Sequence, residues 1–141
     1  MRTKKPVVPI NNLMIDGIAQ KGKGVGRTEE GQVVFVQGAI PGDVVDVTIL
    51  KKRKRHLEGR IKTLHKESPG RIVPKCSHFG ICGGCSWQQM SYEAQLEHKQ
   101  KEVNNALSRI GDVDVNDYAP IIGCSETFAY RNKMEFSFSA R

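Results

Sequence analysis

Cys76, Cys82 and Cys85 stand within ten residues of one another, in the run CSHFGICGGC. Thiolates are soft ligands, and a C-x2-C step lets two sulfurs converge on one centre. Gly83 and Gly84, between the last two cysteines, permit the backbone torsions that a tight approach needs. The longer C-x5-C arm, with Gly80 in it, can bring a third sulfur round. Three clustered cysteines and a more distant fourth suit a [4Fe–4S] cube. A zinc ion held by the three cysteines and His78 is the main alternative; three free thiols in a loop is the plain one. Cys124, in IIGCSET, is a candidate fourth ligand, but its small neighbours favour a small buried side chain.

The second chemically suggestive feature is charge. The 141 residues carry a net charge of +7, and the excess is one-sided. Residues 1–71 hold 15 Lys and Arg against 7 Asp and Glu, while the remainder hold 7 against 8. Lys51, Lys52, Arg53, Lys54 and Arg55 form the densest run, followed by Arg60 and Lys62; Lys21, Lys23, Arg27, Lys66 and Arg71 lie in the same half. Cations at this density contact phosphates and give salt-dependent, sequence-tolerant affinity. The expected partner is nucleic acid rather than an anionic membrane, because the basic half has no amphipathic helical pattern. A solvated loop is the plain reading of the same run. Phe35 is the only aromatic residue before position 72, so phosphate and shape contacts are expected to outweigh base stacking. Lys21–Arg27, KGKGVGR, superficially resembles a phosphate-cradling loop but lacks the Lys-Ser/Thr pair and the following helix; a hairpin touching RNA phosphates is the better reading. YRNK at 130–133 adds Arg131 and Lys133, which share one side of a regular strand, or are ordinary surface charge. His56, His65, His78 and His98 show no catalytic spacing.

The elements that must position these groups are short. Residues 12–64 read as five strands with Gly and Pro punctuation, which suggests a small closed or nearly closed barrel. In QVVFVQG, four adjacent apolar residues predict a strand buried on both faces. Pro41-Gly42 predicts a turn, and 51–55 an exposed hairpin loop. Residues 65–75, HKESPGRIVPK, look like a linker. Ser91 is a plausible N-cap for a helix whose stripe is Tyr92, Leu96, Val103, Leu107 and Ile110, with Gly111 suited to C′. Met134, Phe136 and Phe138 alternate as in a half-buried strand. One helix and one or two strands cannot close a core, so the chain is expected to be truncated or this region to dock on something absent.

No signal peptide is legible in MRTKKPVVPINN, and no run approaches the roughly 20 apolar residues of a membrane span. A cytoplasmic location is expected, where thiols stay reduced and four cysteines argue for metal or reactivity over disulfides.

The order DGIAQKGKGVGR, PGDVVDV, KCSHFGICGGCSWQQMSYEAQLEHKQ, YRNKMEF resembles the RNA (uracil-5-)-methyltransferases, in particular the 23S rRNA type, over about residues 10–138. The resemblance implies a TRAM domain, an OB-like RNA-binding β-barrel, over 1–66; a linker and iron–sulfur cysteine loop over 67–88; and the start of an α+β central RNA-binding domain over 89–141. It implies that Cys76, Cys82 and Cys85 are three ligands of a [4Fe–4S] cluster whose fourth ligand lies beyond residue 141, and that Cys124 is not that ligand. It implies S-adenosylmethionine as methyl donor, bound with the catalytic residues in a C-terminal domain outside this chain. The residues expected to touch RNA are Lys23, Arg27, Lys51, Lys52, Arg53, Lys54, Arg55, Arg60, Arg131 and Lys133; no catalytic residue is expected here. A C-x3-C-x2-C radical methylthiotransferase, the other TRAM-bearing candidate, has different cysteine spacing.

The expected function is the RNA-binding and cluster-binding portion of an rRNA uracil-C5 methyltransferase, monomeric and with no membrane partner. A standalone RNA-binding module with a structural zinc site is the alternative.

Overall fold

Alternation of apolar and polar residues along five strands closes a barrel, because each strand has one face to bury. The computed structural model describes residues 9–113 and 119–130. Its strands are β1 (Ile10–Ala19), β2 (Lys23–Arg27), β3 (Val33–Gln37), β4 (Val44–Lys52) and β5 (His56–Lys66), and they precede one helix, α1 (Tyr92–Arg109). The closed strand order is β1-β2-β3-β5-β4. The β3–β5 pair is parallel, and the other four pairs are antiparallel. Mainly β architecture with a small OB-like barrel is what the sequence predicts. Closure leaves no long edge strand to pair with another chain.

The interior is filled by Leu13, Ile15, Val34, Val36, Ala39, Val45, Val47, Ile49 and Leu57. Val34 and Val36 are fully buried, and each contributes on the order of 1.5–3 kcal/mol by leaving water. So narrow a barrel has no room for a side chain at every inward position. A Cβ on Gly26 would lie 2.6 Å from the Met14 carbonyl oxygen, and one on Gly59 would lie 2.4 Å from Val47 Cγ1.

Several expectations are corrected. QVVFVQG is not buried on both faces: Val34 and Val36 point inward, while Val33 and Phe35 are half-buried on the outside. Adjacent apolar residues cannot share a face in a pleated strand. KGKGVGR does enter a hairpin, as predicted: β1 and β2 pair antiparallel across its start, with Ala19 opposite Lys23. The chain turns at Gln20–Gly22, where Lys21 and Gly22 take φ of 67° and 74°, and Lys23–Arg27 is strand. Gly22 serves this turn, while Gly24 and Gly26 are spacers for the barrel wall. The β2–β3 turn is closed by Thr28 and Gly31, whose N–H donates to the Thr28 carbonyl at 2.8 Å.

The segment read as a linker is partly strand and partly a strap. β5 runs to Lys66. Beyond it, the buried carboxylate of Asp43 receives the Ser68 N–H at 3.0 Å and the Arg71 Nε at 3.1 Å. Arg71, one of the basic residues of this half, is thus committed to the fold. The strap then meets residues 87–91: Arg71 and Met90 form a β-bridge, the Ile72 N–H donates to the Gln89 carbonyl, and the Ser91 N–H donates to the Gly70 carbonyl.

Contacts divide the chain into two units, Met1–Gln95 and Leu96–Arg141. Ser91 caps α1 as predicted, its Oγ accepting the Ala94 N–H at 3.2 Å. No residue of α1 is fully buried: along its apolar stripe Tyr92, Leu96 and Leu107 are half-buried, while Val103 is half exposed and Ile110 nearly fully so. At its C-terminus the left-handed residue is Asp112, φ 50°, and not Gly111. A Cβ on Gly111 would stand 2.9 Å from the Leu107 carbonyl oxygen, so glycine is needed there for space. The predicted strand of Met134, Phe136 and Phe138 lies outside the described residues.

Candidate nucleic-acid interface and the cysteine loop

Strand register gathers the expected phosphate contacts on one outer wall of the barrel. Arg27 stands opposite Val33, and Val33 opposite His56; Val25 stands opposite Phe35, and Phe35 opposite Glu58; Gln37 stands opposite Arg60. On the far side of β5, Thr48 pairs with Arg60 and Lys51 with Glu58. The outward residues of β2, β3 and β5 thus form rows, with Lys23, Arg27 and Arg60 around an apolar and aromatic centre. Lys51–Arg55 are exposed where β4 passes into β5, as predicted. The loop is short, with the Arg53 N–H donating to the His56 carbonyl at 2.9 Å, so its cations are presented on a fixed turn.

At the centre of this wall Phe35 and His56 meet edge to face, with ring centroids 5.0 Å apart and planes at 72°. Glu58, opposite Phe35 and one row along from His56, is the electrostatic hub. Its carboxylate takes Lys23 Nζ at 2.8 Å, His56 Nε2 at 3.5 Å and Arg53 Nε at 3.7 Å. The Lys23 ammonium, with His56 and Lys51 assisting, holds the Glu58 carboxyl below the usual glutamate value. Towards the other end of the β4–β5 pair, Asp46 accepts the Asn12 N–H at 2.9 Å and His65 Nε2 at 2.8 Å; these two bonds, the first above all, depress its carboxyl likewise.

Of the expected contacts, Lys23, Arg27, Lys51, Lys52, Arg53, Lys54, Arg55 and Arg60 belong to this wall and its adjoining turn. Lys23 and Arg53 are in part neutralised by Glu58. Arg131 and Lys133 lie outside the described residues. Sequence reasoning missed Phe35, His56 and Glu58. Strict alternation supplies the signal for Phe35: with Val34 and Val36 inward, residue 35 must face out. Every base has a π-face, which an outward ring among cations is chemically able to meet. In OB folds this β2–β3 face and the β4–β5 loop bind oligonucleotides.

The cysteine loop is held at both flanks and open between them. Upstream, the Cys76 N–H donates to Gln88 Oε1 at 3.1 Å. Within the loop the Phe79 N–H donates to the Cys76 carbonyl, and the Ile81 and Cys82 N–H groups to the His78 carbonyl. Gly80 and Gly83 take φ of 81° and 72°, as the sequence requires of them. The Gly84 N–H donates to Cys82 Sγ at 3.4 Å, the kind of bond that stabilises a thiolate ligand. Downstream, Gln95 Nε2 donates to the carbonyls of Trp87 and Met90, and Met90 is buried. Trp87 abuts the turn before β2, since a Cβ on Gly22 would lie 2.4 Å from its Nε1. The Gln89 side-chain amide is buried, and neither its nitrogen nor its oxygen has a hydrogen-bond partner among the described residues.

None of the four cysteines is in a disulfide. The donor chemistry of Cys76, Cys82 and Cys85 suits a soft metal centre. The arrangement does not gather them: among the described residues, no three Cys, His, Asp or Glu side chains stand together as a metal site. Cys124 is exposed, contrary to the expectation of burial, and its Sγ donates to the Glu126 carbonyl at 3.1 Å. Among the described residues no helix is long and apolar enough to cross a membrane.

Comparison with known proteins agrees with this architecture. Residues 10–62 match the TRAM domain model. The chain is 43% identical over 122 residues to an uncharacterized RNA methyltransferase of Bacteroides thetaiotaomicron, covering 86% of the chain and 27% of the relative. It is 44% identical over 131 residues to one from Chlorobaculum tepidum, covering 92% and 27%. It is 41% identical over 99 residues to a 23S rRNA (uracil(1939)-C(5))-methyltransferase of Halomonas elongata, covering 70% and 20%. The chain thus spans about a quarter of the length of the curated relatives it matches.

Proposed function

Because the chain belongs to the RNA (uracil-C5) methyltransferase family, as its TRAM-bearing N-terminal part, we propose that its barrel captures RNA for uracil-C5 methylation by the whole protein. The favoured substrate is 23S rRNA, and the methyl donor is S-adenosylmethionine, bound outside residues 1–141. The observation that carries this reading is the wall of β2, β3 and β5. Cations on Arg27, Arg60 and the 51–55 turn surround the Phe35–His56 pair. Phosphates would lie along the cations while an unpaired base stacks on Phe35.

In this reading Cys76, Cys82 and Cys85 are three ligands of a [4Fe–4S] cluster completed by a residue outside this chain. Their spacing, their free thiols and the N–H bond to Cys82 Sγ support it. The cluster's role is structural: drawing the three sulfurs together would stiffen the loop whose flanks the barrel already fixes. The protein works as a monomer in the cytoplasm, with no membrane partner, where its thiols stay reduced.

The test is fluorescence anisotropy of a labelled single-stranded rRNA fragment against the protein across salt concentrations. Affinity should fall linearly on logarithmic axes. An affinity indifferent to salt would contradict capture through phosphates.

A further inference from the structure

A cleft of about 700 Å³ opens at one end of the barrel. It lies beside the row formed by Arg27, Val33 and His56, and Arg27 belongs to both. Its floor is the end of the hydrophobic core, Leu13, Ile49 and Leu57, each less than a tenth exposed. Its rim is polar. Arg27 and Lys52 supply cations, Asn12 and Gln32 supply amides, and Glu29 and Glu30 supply carboxylates.

The backbone beside this mouth is irregular. The β1–β4 register shifts between Ile10 and Leu13, and within that irregularity Asn12 takes φ of 50°. Asp46 holds the strained residue through its N–H at 2.9 Å. Bulges that re-aim side chains, and residues held left-handed, cluster where ligands bind. Across the cleft, the Thr28 hydroxyl is the main cause holding the Glu30 carboxyl below its usual value, so that side chain is an anion at neutral pH.

We propose that this cleft receives one unstacked nucleobase of the RNA that crosses the β2–β3–β5 wall. This rests on the RNA-binding reading above. The size suits a nucleotide, since small-molecule sites typically enclose about 300–1,000 Å³ and combine an apolar floor with a few polar groups. The apolar floor takes the base, Arg27 and Lys52 take the phosphates on either side, and the rim reads the base edge. Carboxylates accept hydrogen bonds and do not donate them, so Glu29 and Glu30 favour a base with an exocyclic amino group. Adenine, cytosine and guanine carry one; uracil does not.

Two measurements test this. In the first, adenosine, cytidine, guanosine and uridine 5′-monophosphates are titrated separately into the isotope-labelled protein. The amides of Asn11–Leu13 and Thr28–Gln32 should shift, at least about threefold more tightly for the amino-bearing nucleotides. In the second, a single-stranded RNA is compared with versions in which each position in turn is abasic. At one position the loss should weaken binding about fivefold or more. In the Glu30→Gln, Gln32→Ala double variant that difference should shrink while the salt dependence persists. RNA binding with normal salt dependence, but no abasic penalty and no shifts at the cleft, would overturn this inference and leave the RNA-binding reading standing. Failure to bind RNA at all would overturn both. Equal shifts from uridine monophosphate would overturn the amino-group preference.

Discussion

The Asp43 carboxylate and the Arg71 guanidinium are 28 residues apart and meet in a buried, bidentate ion pair. Asp43 is fully buried, and its two oxygens also accept the N–H groups of Ile40 and Ser68. Arg71 spends a further bond on the Gly38 carbonyl. The pair fastens the strap after β5 to the turn before β4. Through the bridge from Arg71 to Met90 it also sets the flank of the cysteine loop.

Arg71→Met should therefore destabilise the protein by about 3 kcal/mol, because it leaves a buried carboxylate without its cation. Denaturant titration checks this. The slope of RNA affinity against salt should be unchanged, which separates Arg71 from the phosphate-binding cations.

Phe35→Ala should weaken single-stranded RNA binding by about 1–3 kcal/mol, the usual worth of one base–aromatic stack. The salt slope should again stay the same, since no cation is lost. Phe35→Trp should retain most of the affinity. Equal affinity for Ala and Phe at position 35 would remove the platform from the account.

Glu58 holds down the charge of its own wall. Glu58→Gln frees Lys23 and Arg53, so RNA affinity should rise by about two- to fivefold at low salt, within the usual worth of an exposed ion pair. The sign with pH follows from its lowered pKa. The stabilisation from ionised Glu58 is complete above the ordinary value of 4.5 and is lost as pH falls through the lower folded value. Carboxyl titration by NMR should place the midpoint below 4.5, and Lys23→Ala should move it upward.

Much of this was legible in the sequence, for physical reasons. Alternation in strands and Gly-Pro punctuation gave away the barrel, and the 51–55 run gave away its exposed turn. Ser91 as N-cap is a local decision that local sequence carries. What could not be read was long-range. Nothing near Arg71 shows that a buried carboxylate at position 43 claims it. Register across β3 and β5, which sets Phe35 against Glu58 and lets His56 reach the ring, depends on closure of the whole barrel. The glycines of KGKGVGR marked the β1–β2 turn, but not that Gly24 and Gly26 line a tight wall, because that depends on closure of the barrel. Cys124 misled because small neighbours in sequence need not be neighbours in space.

Anaerobic preparation of the full-length protein should yield brown material with about four irons and four sulfides per chain. Cys82→Ser with Cys85→Ser should abolish the colour. Stoichiometric zinc in place of iron would favour a tetrahedral structural site. Because the cluster is assigned a structural role, its loss should lower thermal stability and leave the salt slope of RNA binding intact.

The most direct test of the central claim compares the salt dependence of RNA affinity in the wild type with that of a variant carrying Lys51→Ala, Lys52→Ala, Arg53→Ala and Lys54→Ala. Each phosphate contact contributes roughly 0.7 to the slope for single strands. The variant should bind more weakly, with a slope shallower by about 2 to 3. An unchanged slope would show that RNA does not lie against this face of the barrel.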